Sequence, residues 1–254
     1  MVQLDATTQE VLNRISEEFA QKGAYNLRQN GVALCHGDSE HIKIRKKEDK
    51  PGIDILIDGD TKGERVFIPV VVSVSGMTDL VYNDFYVADG ADVTIVAGCG
   101  IHNSGCNESR HDGIHTFHVG ENANVKYEEK HYGEGNGTGS RVLNPVTNIE
   151  VGRNSVFTMD TAQIKGVDST VRETNVELAE GAKLYVLEKL MTDGEQKAES
   201  NIEVCLEGSG SSAQIVSRSV CRGILYRHSI QKLWEEINAM HIFSVIPSLW
   251  IRRM

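Results

Sequence analysis

The chain has 254 residues, enough for one large domain or two small ones, and a formal net charge of −10. This acidic excess argues against nucleic acid or an anionic membrane as the main partner, and no apolar run approaches the roughly 20 residues that span a bilayer. The N-terminus lacks the basic and apolar regions of a signal peptide and the five cysteines are an odd number, so we expect a cytoplasmic protein with free thiols or metal-ligating cysteines.

The first predicted element is a helix. Thr7–Glu10 has the spacing of a capping box, and Val11, Ile15 and Phe19 then recur on one helical face. Gly23 offers a place for this helix to stop.

From about residue 32 the pattern changes to period two, which is typical of strands. Ile53, Ile55 and Ile57 alternate with their neighbours and predict a strand with one buried face. Residues 66–72 form a continuous apolar run that suits a strand buried on both faces.

The middle of the chain repeats itself loosely. Each repeat has an alternating strand, a turn with Gly or Asn, a small residue and a second alternating strand; the four segments are 86–96, 117–127, 149–159 and 176–186. The small residues Ala91, Ala123, Ser155 and Ala182 lie 32, 32 and 27 positions apart. A period near 30 is what a β-solenoid needs, since stacked coils bury one another's inner faces, but periodicity alone leaves the solenoid and a β-sandwich with regular hairpins equally open.

Residues 97–118 carry the strongest chemical signal. Four of the nine His and two of the five Cys fall within these 22 residues. Thiolate and imidazole together suit zinc, ferrous iron and iron–sulfur clusters. Because Cys99 and Cys106 are seven positions apart, the spacing is not the C-x-x-C of a zinc knuckle, and the segment predicts a metal without naming one.

The other cysteines, Cys35, Cys205 and Cys221, are expected to be structural, because free cysteine is among the residues most often buried. For Cys99 and Cys106 the clustering leaves a structural and a ligating role equally open.

Two further features have plain structural interpretations. If 114–119 is a strand, His115 faces inward as a hydrogen-bonded core residue, and His118 points outward and is freer to bind a ligand. The glycine-rich run Gly133–Gly139 lacks the Lys-Ser/Thr of a phosphate-binding loop, so we expect a flexible loop there.

The run Cys99–Asn103, followed by Ser109–Phe117, resembles the SufB/SufD family, particularly its short archaeal and anaerobic bacterial members. Val171–Leu178, Leu184–Glu188 and Ser217–Val220 continue the similarity, which covers roughly residues 30–223. The resemblance implies a mainly β protein with a right-handed parallel β-helix and an N-terminal helix.

The same resemblance implies a function. The chain would be a non-enzymatic scaffold subunit of the Suf iron–sulfur cluster assembly complex, acting with the Suf ABC-type ATPase, a sulfur donor and a second SufB/SufD-like subunit in a homo- or heterodimer. A transient iron–sulfur cluster would assemble between the two β-helices. Matching positions make Cys99 and His102 the first candidate ligands, with Cys106 and His111 behind them and the exposed His118 as a further metal ligand. The alternatives are a metal-dependent enzyme with a mononuclear His/Cys site, or an inert truncated family member.

We expect three parts along the chain: a helical segment at 1–30, a β-helix core at 31–223 and an aberrant tail at 224–254. After Gly223 the family pattern is lost, and reading the codons one base out of phase restores it in part. In that frame Trp234–Glu235 forces Gly, Met240–His241 forces Ala and Trp250–Ile251 forces Asp, each where the family motif has it. We therefore expect a frameshift near residues 221–232 and a tail with few contacts to the β-helix.

The alternative for the tail is a genuine amphipathic helix from Ser229 to Met240, since Leu233, Ile237 and Met240 would fall on one face.

Overall fold

The computed structural model describes residues 4–16, 19, 23–223, 226–235 and 249–250. Its elements in chain order are α1 (Ala6–Ile15), β1 (Ala24–Gln29), β2 (Val32–Gly37), β3 (Ile42–Lys46), β4 (Gly52–Ile57), β5 (Lys62–Val72), β6 (Thr78–Val87), β7 (Asp92–His102), β8 (Ser109–Val119), β9 (Asn124–Glu134), β10 (Arg141–Leu143), β11 (Val146–Val151), β12 (Val156–Lys165), β13 (Ser169–Leu178), β14 (Lys183–Gly194), β15 (Lys197–Leu206), β16 (Ser212–Gly223), β17 (Tyr226–Glu235) and β18 (Leu249–Trp250).

The strands form two sheets that face each other. Sheet A runs in the order β18-β16-β14-β12-β9-β7-β5-β1-β2, and sheet B in the order β17-β15-β13-β10-β8-β6-β4-β3, with β11 also pairing with β8 and β13. Among the described strands, pairing is antiparallel only at the N-terminal end, between β1 and β2 and between β3 and β4. From β4 onward the strands pair in parallel and alternate between the sheets, with β10 and β11 together forming one sheet B step, so the chain winds into a β-solenoid of about 6 turns. The predicted solenoid with an N-terminal helix is confirmed.

The predicted coil corners are also confirmed. Ala91, Ala123, Ser155 and Ala182 are buried at equivalent positions, each two residues or fewer before the sheet A strand of its coil. The residue before each of them has a positive φ, which favours Gly or Asn; these residues are Gly90, Asn122, Asn154 and Gly181. A left-handed residue turns the chain at each corner, and the small residue then leaves room for the next coil.

The part of the solenoid interior that lies beside these corners is apolar. The rings of Phe85 and Phe117 stack with centroids 4.4 Å apart, and Phe157 meets Phe117 edge-on at 5.1 Å. Each ring comes from a different coil, so this column of aromatic side chains joins successive coils through the core.

Helix α1 lies on the outer face of sheet A. Asp5, rather than the predicted Thr7, caps it by accepting a 2.9 Å hydrogen bond from the Thr8 backbone N–H. A Cβ at Gly100 would lie only 2.2 Å from Val11 Cγ1, so the glycine permits the close approach of helix and strand. Because α1 covers this face, residues 66–72 are buried on both sides of β5, as their apolar run predicts. The described helix ends at Ile15, and residues 17–18 and 20–22 lie outside the described part.

The solenoid continues past residue 223. Strand β17 pairs in parallel with β15 over ten residues, from Lys197↔Tyr226 to Leu206↔Glu235. This strand differs from both expectations for residues 226–235, a tail with few contacts and a helix starting at Ser229. The physical reason is that the exposed edge of β15 offers backbone hydrogen bonds to any chain that can extend beside it. Residues 236–248 and 251–254 lie outside the described part, and the frameshift itself stays a prediction.

Within the described ranges, no helix is both long and apolar enough to cross a bilayer.

Candidate functional site

The second half of the solenoid interior is polar. Strand register places side chains from adjacent coils directly above one another: Asp79 pairs with His111, Asn83 with His115, and Cys99 with His131. We call this set the polar interior; its members are Arg28, Asp79, Asn83, Cys99, His111, His115, Tyr127, Glu129, His131 and Arg172. All are at most 9% exposed, so each charge needs a partner inside the protein.

One ion-paired group lies at the N-terminal side of the polar interior. Arg28 donates to both oxygens of Asp79, with its Nη2 2.7 Å from Oδ1 and its Nε 3.0 Å from Oδ2. Burial alone would raise the pKa of Asp79, but hydrogen bonds from His111 and Arg28 lower it below its ordinary value. Asp79 is therefore ionised and accepts a hydrogen bond from His111 Nδ1 at 3.1 Å.

This hydrogen bond orients the His111 ring. When Nδ1 carries the single proton of the imidazole, Nε2 has a lone pair that can accept a hydrogen bond or bind a metal. Nε2 is buried and has no hydrogen-bond partner among the described residues. A carboxylate that holds one imidazole nitrogen while the other stays free is the arrangement found behind many metal-ligating histidines.

A second charged group lies one coil further on. Arg172 donates from Nη1 to Glu129 Oε2 at 3.2 Å and from Nη2 to His131 Nδ1 at 2.9 Å. Because His131 Nδ1 accepts, its proton is on Nε2, which lies 3.3 Å from Glu129 Oε1. Burial would raise the pKa of Glu129, but His131 and Arg172 hold it well below its usual range. Burial and the charge of Arg172 lower the pKa of His131, so this imidazole is neutral.

Residues of both groups and Cys99 line one crevice that is too narrow to admit a water molecule. The crevice is lined by Cys99, His111, Gly113, Glu129, His131, Leu143, Asn144 and Pro145. Burial raises the pKa of the Cys99 thiol well above its usual value, and the carboxylates of Glu129 and Asp79 raise it further. Cys99 is therefore a protonated thiol beside a free imidazole nitrogen, and a cation entering the crevice would favour the thiolate.

The structure places the sequence-predicted ligands in different surroundings. Cys99 and His111 share the crevice. His102 is half-buried, 3.2 Å from Glu134 Oε1, and Cys106 is exposed in the loop between β7 and β8. His118 lies on the outer face of sheet B, stacked on Tyr86, with Nδ1 2.7 Å from Glu150 Oε2. Within the described residues, no three His, Cys, Asp or Glu side chains converge in a way that could hold a metal ion.

His115 and His118 lie on opposite faces of strand β8, as expected. His115 is buried and hydrogen-bonded, whereas His118 is outward and partly exposed, so the alternation argument for this strand is confirmed. Of the cysteines expected to be structural, Cys221 is buried and Cys35 and Cys205 are half-buried.

The glycine-rich run has a different role from the flexible loop that its composition suggests. It stacks on the Cys106 loop: Gly137 N–H donates to Asn103 O at 3.1 Å, and Gly139 N–H to Gly105 O at 3.0 Å. A Cβ at Gly137 would lie 2.2 Å from Gly105 O, so these glycines allow close backbone contact. We call the two stacked loops, residues 103–108 and 135–140, the loop ridge.

Residues 80–229 match the family model described as SUF system FeS cluster assembly, SufBD core domain. This range is more than half of the chain; it contains the crevice and ends inside β17, six residues beyond Gly223. No curated protein matches the chain.

Proposed function

Since the chain belongs to the SufB/SufD family and is involved in iron–sulfur cluster assembly, we propose that it is a cytoplasmic, non-catalytic scaffold subunit of the Suf machinery. In this role it receives iron and sulfide as cargo and holds the transient cluster. It acts with the Suf ABC-type ATPase, a sulfur donor and a second β-helix subunit.

The observation that carries this proposal is the pairing of Cys99 with His111 in the crevice. A thiol and an imidazole nitrogen that is free of hydrogen bonds are both suited to iron. Asp79 holds the imidazole by Nδ1, and a Cβ at Gly113, which lines the crevice, would lie 3.3 Å from its Nε2. Sequence reasoning placed Cys99, with His102, among the first candidates and His111, with Cys106, among the second, and the shared crevice supports treating Cys99 and His111 as one site.

Two ligands do not complete a cluster site, which usually has four cysteine or histidine ligands. Cys106 lies exposed in the loop ridge, and the half-buried His102 borders this ridge. They are positioned to meet side chains of a second subunit, and an exposed thiol at Cys106 is accessible to a sulfur donor. This arrangement supports assembly between two subunits, with opening of the crevice driven by the ATPase partner.

A mononuclear metal enzyme has less support. Such a site needs three or more converging ligands, and the described residues contain no such group. Metal analysis separates the two functions, because a scaffold binds iron with acid-labile sulfide, whereas the enzyme would bind one zinc without sulfide.

The test is anaerobic reconstitution of the full chain with ferrous iron and sulfide. We expect cluster absorption and labile sulfide to fall in Cys99→Ser, because serine is a poorer ligand for a soft metal site, and in His111→Ala. Cys205→Ser is the matched control, since Cys205 is half-buried on the outer face of a coil outside the crevice. Unchanged iron and sulfide in both Cys99→Ser and Cys106→Ser would place the ligands elsewhere. Co-purification with a Suf ABC-type ATPase tests the partnership separately.

A further inference from the structure

A large cavity opens at the N-terminal end of the solenoid, apart from the crevice. It has a volume of about 1020 Å³ and lies between the β1–β2 hairpin, the β3–β4 hairpin and the first parallel strands. The volume is at the upper end of the range for small-molecule sites. Its walls are largely apolar; they include Ile44, Ile53, Ile68, Val70 and Val81. An organic ligand would find its apolar contacts here.

Cationic side chains surround the polar part of this cavity. Arg28, Lys46, Lys47 and Lys50 line it, with Glu48 and Asp49 as the two carboxylates of the lining. Arg28 is paired with Asp79, and Lys47 with Asp54 and Asp84, and these three carboxylates lie outside the lining. Arg28 and Lys47 are thereby neutralised, so Lys46 and Lys50 are the cations of the lining that can contact an anionic group of a ligand.

The inner end of the cavity carries an unused hydrogen-bond acceptor. Asn83 lines the cavity, is 4% exposed, and its Oδ1 has no partner among the described residues. A buried amide oxygen without a partner is destabilising, so a ligand that donates a hydrogen bond to it is stabilised there.

A chain of hydrogen bonds fixes which Asn83 atom is left free. Tyr127 donates its hydroxyl to Glu129 at 2.9 Å, so the 2.8 Å contact from His115 must place the histidine proton on Nδ1. Burial lowers the pKa of His115 to about 4, so the ring is neutral and its Nε2 accepts from Asn83 Nδ2 at 3.4 Å. The amide nitrogen thus faces the next coil, and the oxygen is left on the cavity side.

We propose that this cavity binds a small amphipathic organic anion. The apolar body of the ligand lies against the isoleucine and valine walls. A donor group of the ligand bonds Asn83 Oδ1, and its carboxylate or phosphate contacts Lys46 and Lys50. This site is independent of the iron–sulfur proposal, because it shares no lining residue with the crevice.

The test uses anilinonaphthalene sulfonate, a fluorescent organic anion with an apolar body and one N–H donor, titrated into the full apo chain. We expect one saturable site. Lys46→Glu together with Lys50→Glu should weaken binding by about tenfold, the loss of charge-assisted contacts, and Asn83→Leu should weaken it by a similar factor. Competition by phenyl phosphate and by benzoate then shows which anionic group the site prefers.

Two controls keep the result interpretable. Lys183→Glu makes the same type of charge change on an exposed strand position outside the cavity and should leave binding unchanged. Ala33→Trp fills the mouth of the cavity from the exposed strand β2 without touching Asn83, and should abolish binding. Dye binding that survives both the charge reversals and Ala33→Trp, or an absence of saturable binding, overturns the proposal.

Discussion

Replacing Arg172 by Met removes a cation that contacts both Glu129 and His131, while keeping most of the side-chain volume. Arg172 is 3% exposed, with Nη1 3.2 Å from Glu129 Oε2 and Nη2 2.9 Å from His131 Nδ1. The substitution leaves Glu129, itself 2% exposed, as a buried carboxylate without a cationic partner.

The expected loss of stability depends on the hydrogen bonds that Glu129 retains. Removing one partner of a buried ion pair costs about 3–5 kcal/mol. Glu129 retains hydrogen bonds from Tyr127 at 2.9 Å and from His131 at 3.3 Å, which favours the lower part of that range. We expect the free energy of unfolding near pH 7 to fall by about 3–4 kcal/mol, or the melting temperature by roughly 6–16 °C for a chain of this size.

The loss of stability in Arg172→Met should depend on pH. In the native protein the lowered pKa of Glu129 means that its ionised form stabilises the fold above the unfolded pKa of about 4.3, and that this contribution is lost as the pH falls. In the variant, burial raises the folded-state pKa, so Glu129 destabilises the fold at neutral pH and becomes neutral on acidification. The difference between the two proteins should therefore shrink from about pH 7.5 to about pH 5, as measured by urea denaturation.

A double variant tests whether the unpaired carboxylate of Glu129 causes the loss of stability. Adding Glu129→Gln to Arg172→Met removes the carboxylate and should recover at least half of the lost stability. Lys189→Met is the surface control, since it breaks a 2.6 Å pair with Asp160 in which both side chains are at least a third exposed, and it should cost less than about 1 kcal/mol. A loss that is the same at both pH values and in the double variant would refute this account of the polar interior.

Three further predictions concern the corners, the helix and the thiols. Asn154 has φ of 58°, so Asn154→Ala should destabilise by about 1–2 kcal/mol in thermal unfolding, while Asn154→Gly should be close to neutral. Gly100→Val should push Val11 away and lower the free energy of unfolding by about 1–3 kcal/mol. The control Thr94→Val, on the same strand but away from α1, should not lower it, and equal losses in the two variants would argue against the helix contact. Iodoacetamide should modify the exposed Cys106 in the native protein and Cys99 only after unfolding, because burial raises the pKa of the Cys99 thiol. Mass spectrometry identifies the modified residue, and modification of Cys99 in the native protein would contradict its protonated, enclosed state.

The coil architecture was predictable because its signals are local. A Gly or Asn with positive φ followed by a small residue marks each corner, as at Asn122–Ala123 and Asn154–Ser155. Alternation within a strand correctly separated inward His115 from outward His118. The strand at Tyr226–Glu235 was not predicted, because the edge of the preceding coil, rather than the local sequence, provides its hydrogen bonds.

The buried polar interior was predictable only in part. The dense Cys/His segment named Cys99 and His111 as candidates, but the enclosed Glu129, His131 and Arg172 were missed. Adding the repeat length of 32 to Cys99 leads to His131, and adding it to Asp79 leads to His111, so the periodicity itself held the signal. Charged residues such as Glu129 are normally solvent-facing, and only the stacking of coils shows that this one is enclosed with Arg172.

The loop ridge also restricts how the length of this chain can change during evolution. Its two loops have the same length and touch backbone to backbone, so a residue inserted into 135–140 alone would separate Gly137 from Asn103. Insertions and deletions are therefore tolerated in matched pairs, one per coil. The corner spacing drops from 32 to 27 after Ser155, where the following coil has no such loop. Among homologous sequences, the lengths of the two loops should rise and fall together, and the ridge should be gained or lost as a unit.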